Sequence, residues 1–127
     1  MNAAGELVLR SRVLSRQITL AAEHAGKEDR VATTAILEFR LGPDQLEAAY
    51  ATVHDVLTVT RAFPGCLDIE VLIDTADKAH LVVVEHWESL EADAAYRAWR
   101  ATPEGATTLG EFLAAVPVLT ILTSSEL

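Results

Sequence analysis

Six residues stand out for what their side chains could do. His54 follows Val53 at the flank of an apolar helical stripe, and an imidazole there can take a proton near neutral pH. Glu85 lies inside the aliphatic run Ala79–Trp87, where a carboxylate is costly to bury unless it is paired or its pKa rises. It reads either as a pocket acid or base, or as a structural partner of Arg40, Arg61, Arg97 or Arg100. Tyr96, Trp99 and Arg100 fall at helical spacing, so they share one face. Two rings there could stack on a planar substrate and the guanidinium could bind its oxyanion; the same trio could equally pack as helix core. Trp87 ends the run on the side of Leu81, Val83 and Glu85, as a pocket wall or a core ring, while His86 points the other way. The chemistry in view is proton transfer to and from a planar, anion-forming molecule. His54 and Glu85 are the catalytic candidates, and Trp87, Tyr96, Trp99 and Arg100 the substrate-binding ones.

Other chemistries lack their motifs. His24, His54, His80 and His86 are scattered, with no His-x-x-x-His or Cys-x-x-Cys pair to hold a metal. The six glycines are dispersed, so no phosphate-cradling loop, dinucleotide fingerprint or nucleophile elbow is present. No metal site and no cofactor are expected.

These side chains need elements to position them. Ala35–Leu41 alternates as a first strand, with Leu37, Phe39 and Leu41 on one face and Ile36 and Glu38 on the other. Gly42-Pro43-Asp44 opens a helix, since proline suits a first turn and Asp44 and Glu47 favour the positive end of the helix dipole. Leu46, Ala49, Tyr50, Val53 and Leu57 form its buried stripe, and Pro64-Gly65 stops it. Leu67–Ile73 alternates as a half-buried second strand. Asp74–Lys78 is a turn, and Ala79–Trp87 a central third strand. Ser89 caps a second helix. Thr102-Pro103-Glu104 reads as the start of a third, with Leu109, Phe112, Leu113 and Val116 as its stripe and Pro117 as its end. Val118–Thr123 closes as a β-branched strand.

The order from Val31 is therefore β-α-β-β-α-(α)-β, an α+β fold of the ferredoxin-like βαββαβ type with an antiparallel sheet. Its helices cover one sheet face. The third strand offers aliphatic residues to both faces, so the second face needs cover, and a second copy packed sheet to sheet is the simplest source. The domain spans 31–127. Residues 1–30 are ambiguous between helix and strand and read as an N-terminal arm.

Composition bounds the partners. Of 127 residues half are hydrophobic, which excludes long-range disorder. The formal charge of −9 is opposite to that of a nucleic-acid binder and unsuited to anionic membranes. Residues 1–20 carry +2 and residues 31–127 carry −10. One cysteine, Cys66, allows no internal disulfide. With no signal-peptide core and no apolar run near the roughly 18 residues of a membrane helix, a soluble, cytoplasmic protein is expected.

The segment Phe63-Pro64-Gly65-Cys66-Leu67-Asp68-Ile69-Glu70-Val71 and the strand Val82-Val83-Val84-Glu85-His86-Trp87-Glu88-Ser89 together resemble the antibiotic biosynthesis monooxygenase family. The resemblance covers roughly residues 31–123. It implies a dimeric α+β barrel with a pocket between helices and sheet in each protomer. It also implies, for some members, oxygenation of aromatic polyketides or hydroquinones without metal or flavin. Such chemistry needs an apolar pocket, aromatic walls and a base near the substrate hydroxyl. Haem-degrading relatives resemble one another in a first-strand Asn, a helix-two Trp and a His downstream of it. Here Val31–Leu41 has no Asn and no His follows Trp99, so haem is not expected. The expected function is cofactor-independent monooxygenation of a small planar phenolic, quinol or polyketide-type substrate by a homodimer. The alternatives are a non-catalytic dimeric module holding a small ligand, or an isomerase on the same scaffold. A phosphorylated substrate suits the domain poorly, with only five Lys and Arg from residue 31.

Overall fold

The computed structural model describes residues 32–127, so the expected arm over 1–30 lies outside the described residues. Strand β1 (Thr33–Arg40) leads through a one-turn 3₁₀ segment (Pro43–Gln45) into helix α1 (Leu46–Ala62). Strands β2 (Cys66–Asp74) and β3 (Asp77–Trp87) form a hairpin, followed by helix α2 (Leu90–Arg100), a 3₁₀ turn (Leu109–Phe112) and strand β4 (Val118–Thr123). The sheet order is β2-β3-β1-β4 with every neighbouring pair antiparallel. This is the expected ferredoxin-like α+β arrangement.

Alternation decides which face each residue meets. Phe39 pairs with Leu81, Leu37 with Val83 and Ala35 with Glu85; across the hairpin Val71 pairs with Val83 and Ile69 with Glu85. These pairs turn to the helices. Ala49, Val53 and Leu57 of α1 pack on Phe39, Leu41, Ile69, Leu81 and Val83. A second cluster of Ala35, Trp87 and Tyr96 draws in Phe63 and Trp99 under α2.

Local chemistry sets the ends. Pro43 stands in the first turn of the 3₁₀ segment before α1, and the Ser89 hydroxyl accepts from the Ala92 N–H at 3.0 Å, capping α2. Gly65 has φ +88°, and an added Cβ would lie 2.5 Å from the Ala92 side chain. That close, left-handed turn aims the chain into β2, and Gly65 O accepts from the Glu88 N–H at 2.8 Å, tying both ends of the hairpin to the start of α2.

The third helix expected from Thr102 is not formed. The chain instead turns through Thr102–Gly105 and has only the 3₁₀ segment Leu109–Phe112. Arg100 Nη1 donates to the Gly105 carbonyl at 3.1 Å, and a Cβ on Gly105 would sit 2.1 Å from the Trp99 carbonyl oxygen. The chain is folded back against the end of α2, which a continuing helix cannot do. Val116, expected on a buried stripe, is 89% exposed.

The opposite sheet face carries Ile36, Leu72, Val82, Val84 and Leu122, with no helix over it among the described residues. At one end of this face His80 Nδ1 lies 2.8 Å from Asp74 Oδ2 while Nε2 contacts Glu38 Oε2. A neutral imidazole has one N–H, so satisfying two carboxylates requires the imidazolium. The hydrogen bonds to Asp74 and then Glu38 raise the His80 pKa, and the bond from His80 lowers that of Asp74. Arg40, the β1 partner of His80, pairs instead with Asp77 at 3.1 Å. Because the folded His80 pKa is raised, its contribution is full below the ordinary histidine value of about 6.5 and is lost as pH rises through the folded value. The lowered Asp74 pKa removes its share as pH falls below the ordinary carboxylate range. The stability gap between wild type and His80→Gln, measured by urea unfolding, should be widest near about pH 5 to 6 and narrow towards alkaline pH; a gap independent of pH would contradict this.

Candidate functional site

Five of the six residues singled out in the sequence fall under α2. Trp87 is fully buried and its ring meets Tyr96 at 5.0 Å between centroids. Phe63 stands edge-on to Tyr96 at 5.3 Å and lies 5.5 Å from Trp99. The rings therefore pack on one another.

The Tyr96 hydroxyl and the Trp87 indole N–H are also engaged, whereas the buried Trp99 Nε1 has no hydrogen-bond partner among the described residues. Thr60 Oγ1 donates to the Val56 carbonyl at 3.0 Å, which leaves the Tyr96 hydroxyl to donate to Thr60 Oγ1 at 2.7 Å. Arg100 donates through Nε to Tyr96 Oη at 2.8 Å, and through Nη2 to the Val56 carbonyl at 3.0 Å and Thr60 Oγ1 at 3.1 Å. It also lies 4.8 Å over the Trp99 ring, a cation–π contact. Arg100 thus fastens the end of α2 to the end of α1.

Glu85 is 1% exposed. Its Oε1 accepts from Trp87 Nε1 at 3.0 Å and from Arg97 Nη2, which also reaches Asp93 Oδ1 at 3.0 Å. Of the four cations the sequence offered to Glu85, the fold supplies Arg97. Cys66 is half-buried beside this cluster, and burial followed by the Glu85 charge pushes its thiol pKa up, away from a reactive thiolate. His86 lies on the other face, 3.3 Å from Thr34 Oγ1.

His54 is elsewhere. It projects from α1 with its side chain 77% exposed, 3.5 Å from Asp55 Oδ1. There it borders a cleft of about 190 Å³ between α1 and the β2–β3 edge of the sheet. Tyr50, Val53, Leu57 and Arg61 line it from the helix, and Val71, Ile73 and Leu81 from the strands. The Tyr50 hydroxyl donates to the Lys78 carbonyl in the hairpin, tying helix to hairpin at one end of the cleft. Tyr50, His54, Leu57 and Arg61 recur at the spacing of one helix face, which was a signal in the sequence; the strand wall was not, because it depends on how β2 seats against α1. Glu85, Trp87, Tyr96, Trp99 and Arg100 do not line this cleft.

The cleft offers an apolar slot for one ring, an imidazole at its edge and a cation at one end. An enclosed apolar cavity of roughly 150 Å³ takes a benzene. Among the described residues no group of His, Cys, Asp and Glu is placed to hold a metal ion.

Removing Arg97 leaves a buried carboxylate without its cation. Arg97→Ala should lower stability by about 3 kcal/mol, and adding Glu85→Gln should recover part of it; denaturant titration of the single and double variants reads both. A loss confined to a few tenths would mean Glu85 does not depend on this pair.

The sequence matches the family described as antibiotic biosynthesis monooxygenase over residues 32–109. Among solved structures, one from Nitrosomonas europaea described as a putative antibiotic biosynthesis monooxygenase is 17% identical. Its TM-score is 0.65, with 75% of this chain and 91% of that chain covered. A conserved protein from Methanosarcina mazei Go1 is 15% identical with a TM-score of 0.67, covering 78% and 98%. A Mycobacterium tuberculosis protein is 24% identical with a TM-score of 0.63, covering 75% and 96%. At these identities the likeness concerns the fold. No curated protein matches.

Proposed function

Starting from the fact that the chain belongs to the antibiotic biosynthesis monooxygenase family, we propose that it oxygenates a small phenolic or quinol substrate held in the α1–β2 cleft, with O₂ as the oxidant and no metal or flavin. The observation that carries this reading is the apolar cleft with His54 at its edge. A ring seated against Val53, Leu57, Val71 and Ile73 leaves its hydroxyl near the imidazole, which takes the proton. The resulting phenolate is electron-rich enough to pass one electron to O₂. Recombination of the radical pair at a ring carbon forms a C–O bond, and protonation gives the hydroperoxide. Loss of water then leaves a carbonyl. One oxygen atom stays in the quinone, the other leaves as water, and the four electrons come from the substrate. The size of the cleft favours one ring over a polycyclic substrate.

The test is oxygen uptake with a panel of hydroquinones and simple phenols after metal stripping. Uptake above the uncatalysed rate is expected, and His54→Ala should reduce it by about tenfold or more. No uptake across the panel would overturn oxygenation. Binding without turnover is the second reading. It is favoured by one observation: the one imidazole among the described lining residues is solvent-exposed, whereas a strong general base is usually set in a perturbing environment.

The uncovered sheet face belongs to the same proposal. Leu72 and Leu122 are 44% and 45% exposed beside Ile36, Val82 and Val84. A second copy packed there would remove an apolar patch from water. Light scattering at micromolar concentration should give twice the chain mass, and a monomer would overturn the pairing.

A further inference from the structure

The chain from residue 31 onward carries −10, yet none of the described residues lining the cleft is acidic. Among the described lining residues the one permanently charged side chain is Arg61, exposed in the last turn of α1. Four arginines lie in the described residues. Arg40 pairs with Asp77, Arg97 with Glu85 and Asp93, and Arg100 is spent on Tyr96, Thr60 and two carbonyls. The Arg61 guanidinium makes no hydrogen bond or ion pair among the described residues. An unengaged guanidinium beside an apolar wall presents a planar fork matched to a carboxylate. His54 and Arg61 stand two helical turns apart, about 10 Å along the axis, with Leu57 between them on the same face. Across the cleft Val71 and Ile73 close the apolar slot.

We propose that this cleft selects a single-ring ligand bearing one carboxylate, with the ring on Leu57, Val71 and Ile73, the carboxylate on Arg61, and any ring hydroxyl at the opposite end towards His54. The inference rests on the cleft being the ligand site and narrows the substrate class to aromatic acids. Elsewhere the acidic surface repels such an anion, so Arg61 also sets where it lands.

The experiment uses benzoate and benzyl alcohol, probes of similar shape of which only the first is charged, titrated into the full chain at neutral pH and low salt by NMR. Benzoate should bind about threefold to fivefold tighter, the range of an exposed charge pair, with shifts at Val71 and Ile73. The two probes should bind alike in Arg61→Gln, and Arg61→Lys should restore part of the preference. High salt should erase it. Equal binding of both probes to the wild-type chain, or a preference that survives Arg61→Gln, would overturn the carboxylate assignment while leaving the cleft as the ligand site. Failure of both probes to shift any cleft residue would overturn the site itself and the inference with it.

Discussion

A carboxylate buried in the middle of an aliphatic strand constrains the rest of this fold. Glu85 is an acceptor in a low-dielectric interior and must be met by donors. Trp87, two residues on and on the same face, supplies its indole N–H, and Arg97 of α2 supplies a cation. For both to reach one oxygen, α2 must lie over the β1–β3 end of the sheet with its Tyr96 face inward. Tyr96 then lands on Trp87 and Phe63, and Arg100, one turn on, reaches back to Thr60 and Val56 of α1. Such a pair fixes register and orientation more than it adds net stability.

That constraint divides the helix-facing side of the sheet in two. Under α2, large rings and hydrogen-bonded polar groups fill the space, with only Trp99 Nε1 and Arg97 Nε left unpaired among the described residues. Under the β2-facing side of α1, Val53, Leu57, Val71 and Leu81 are too short to fill the gap between helix and edge strand, and a cleft remains. Rings placed in the first region stabilise the scaffold; smaller aliphatic side chains in the second leave an open cleft. The same division separates His54 and Arg61, exposed at the cleft, from Glu85, Asp93, Arg97 and Arg100, which are paired under α2.

The opposite face follows a different rule. Its centre is aliphatic, and at one end His80 is held between two carboxylates with Arg40 and Asp77 alongside. Charged side chains stand at its margin and apolar ones at its centre, with no helix over them among the described residues.

The amino-acid sequence by itself determined the strand and helix order, because alternation and helical spacing are local. It determined the Ser89 cap and the Pro43 start of the 3₁₀ turn before α1 for the same reason. It also determined that Glu85 needed a partner, that Tyr96, Trp99 and Arg100 share a face, and that His86 opposes Trp87. Only the tertiary structure decided which arginine meets Glu85, since four were available and the answer depends on the seating of α2. It decided that the Tyr96 and Trp99 rings face inward to Trp87 and Phe63, while His54 borders a separate cleft. It decided against a helix after Thr102, where the contact of Arg100 with the Gly105 carbonyl overrides a local start signal. And it set Arg61 beside the cleft with no hydrogen bond or ion pair among the described residues. Partner choice and cavity position depend on contacts between residues distant in the chain, and no local pattern encodes them.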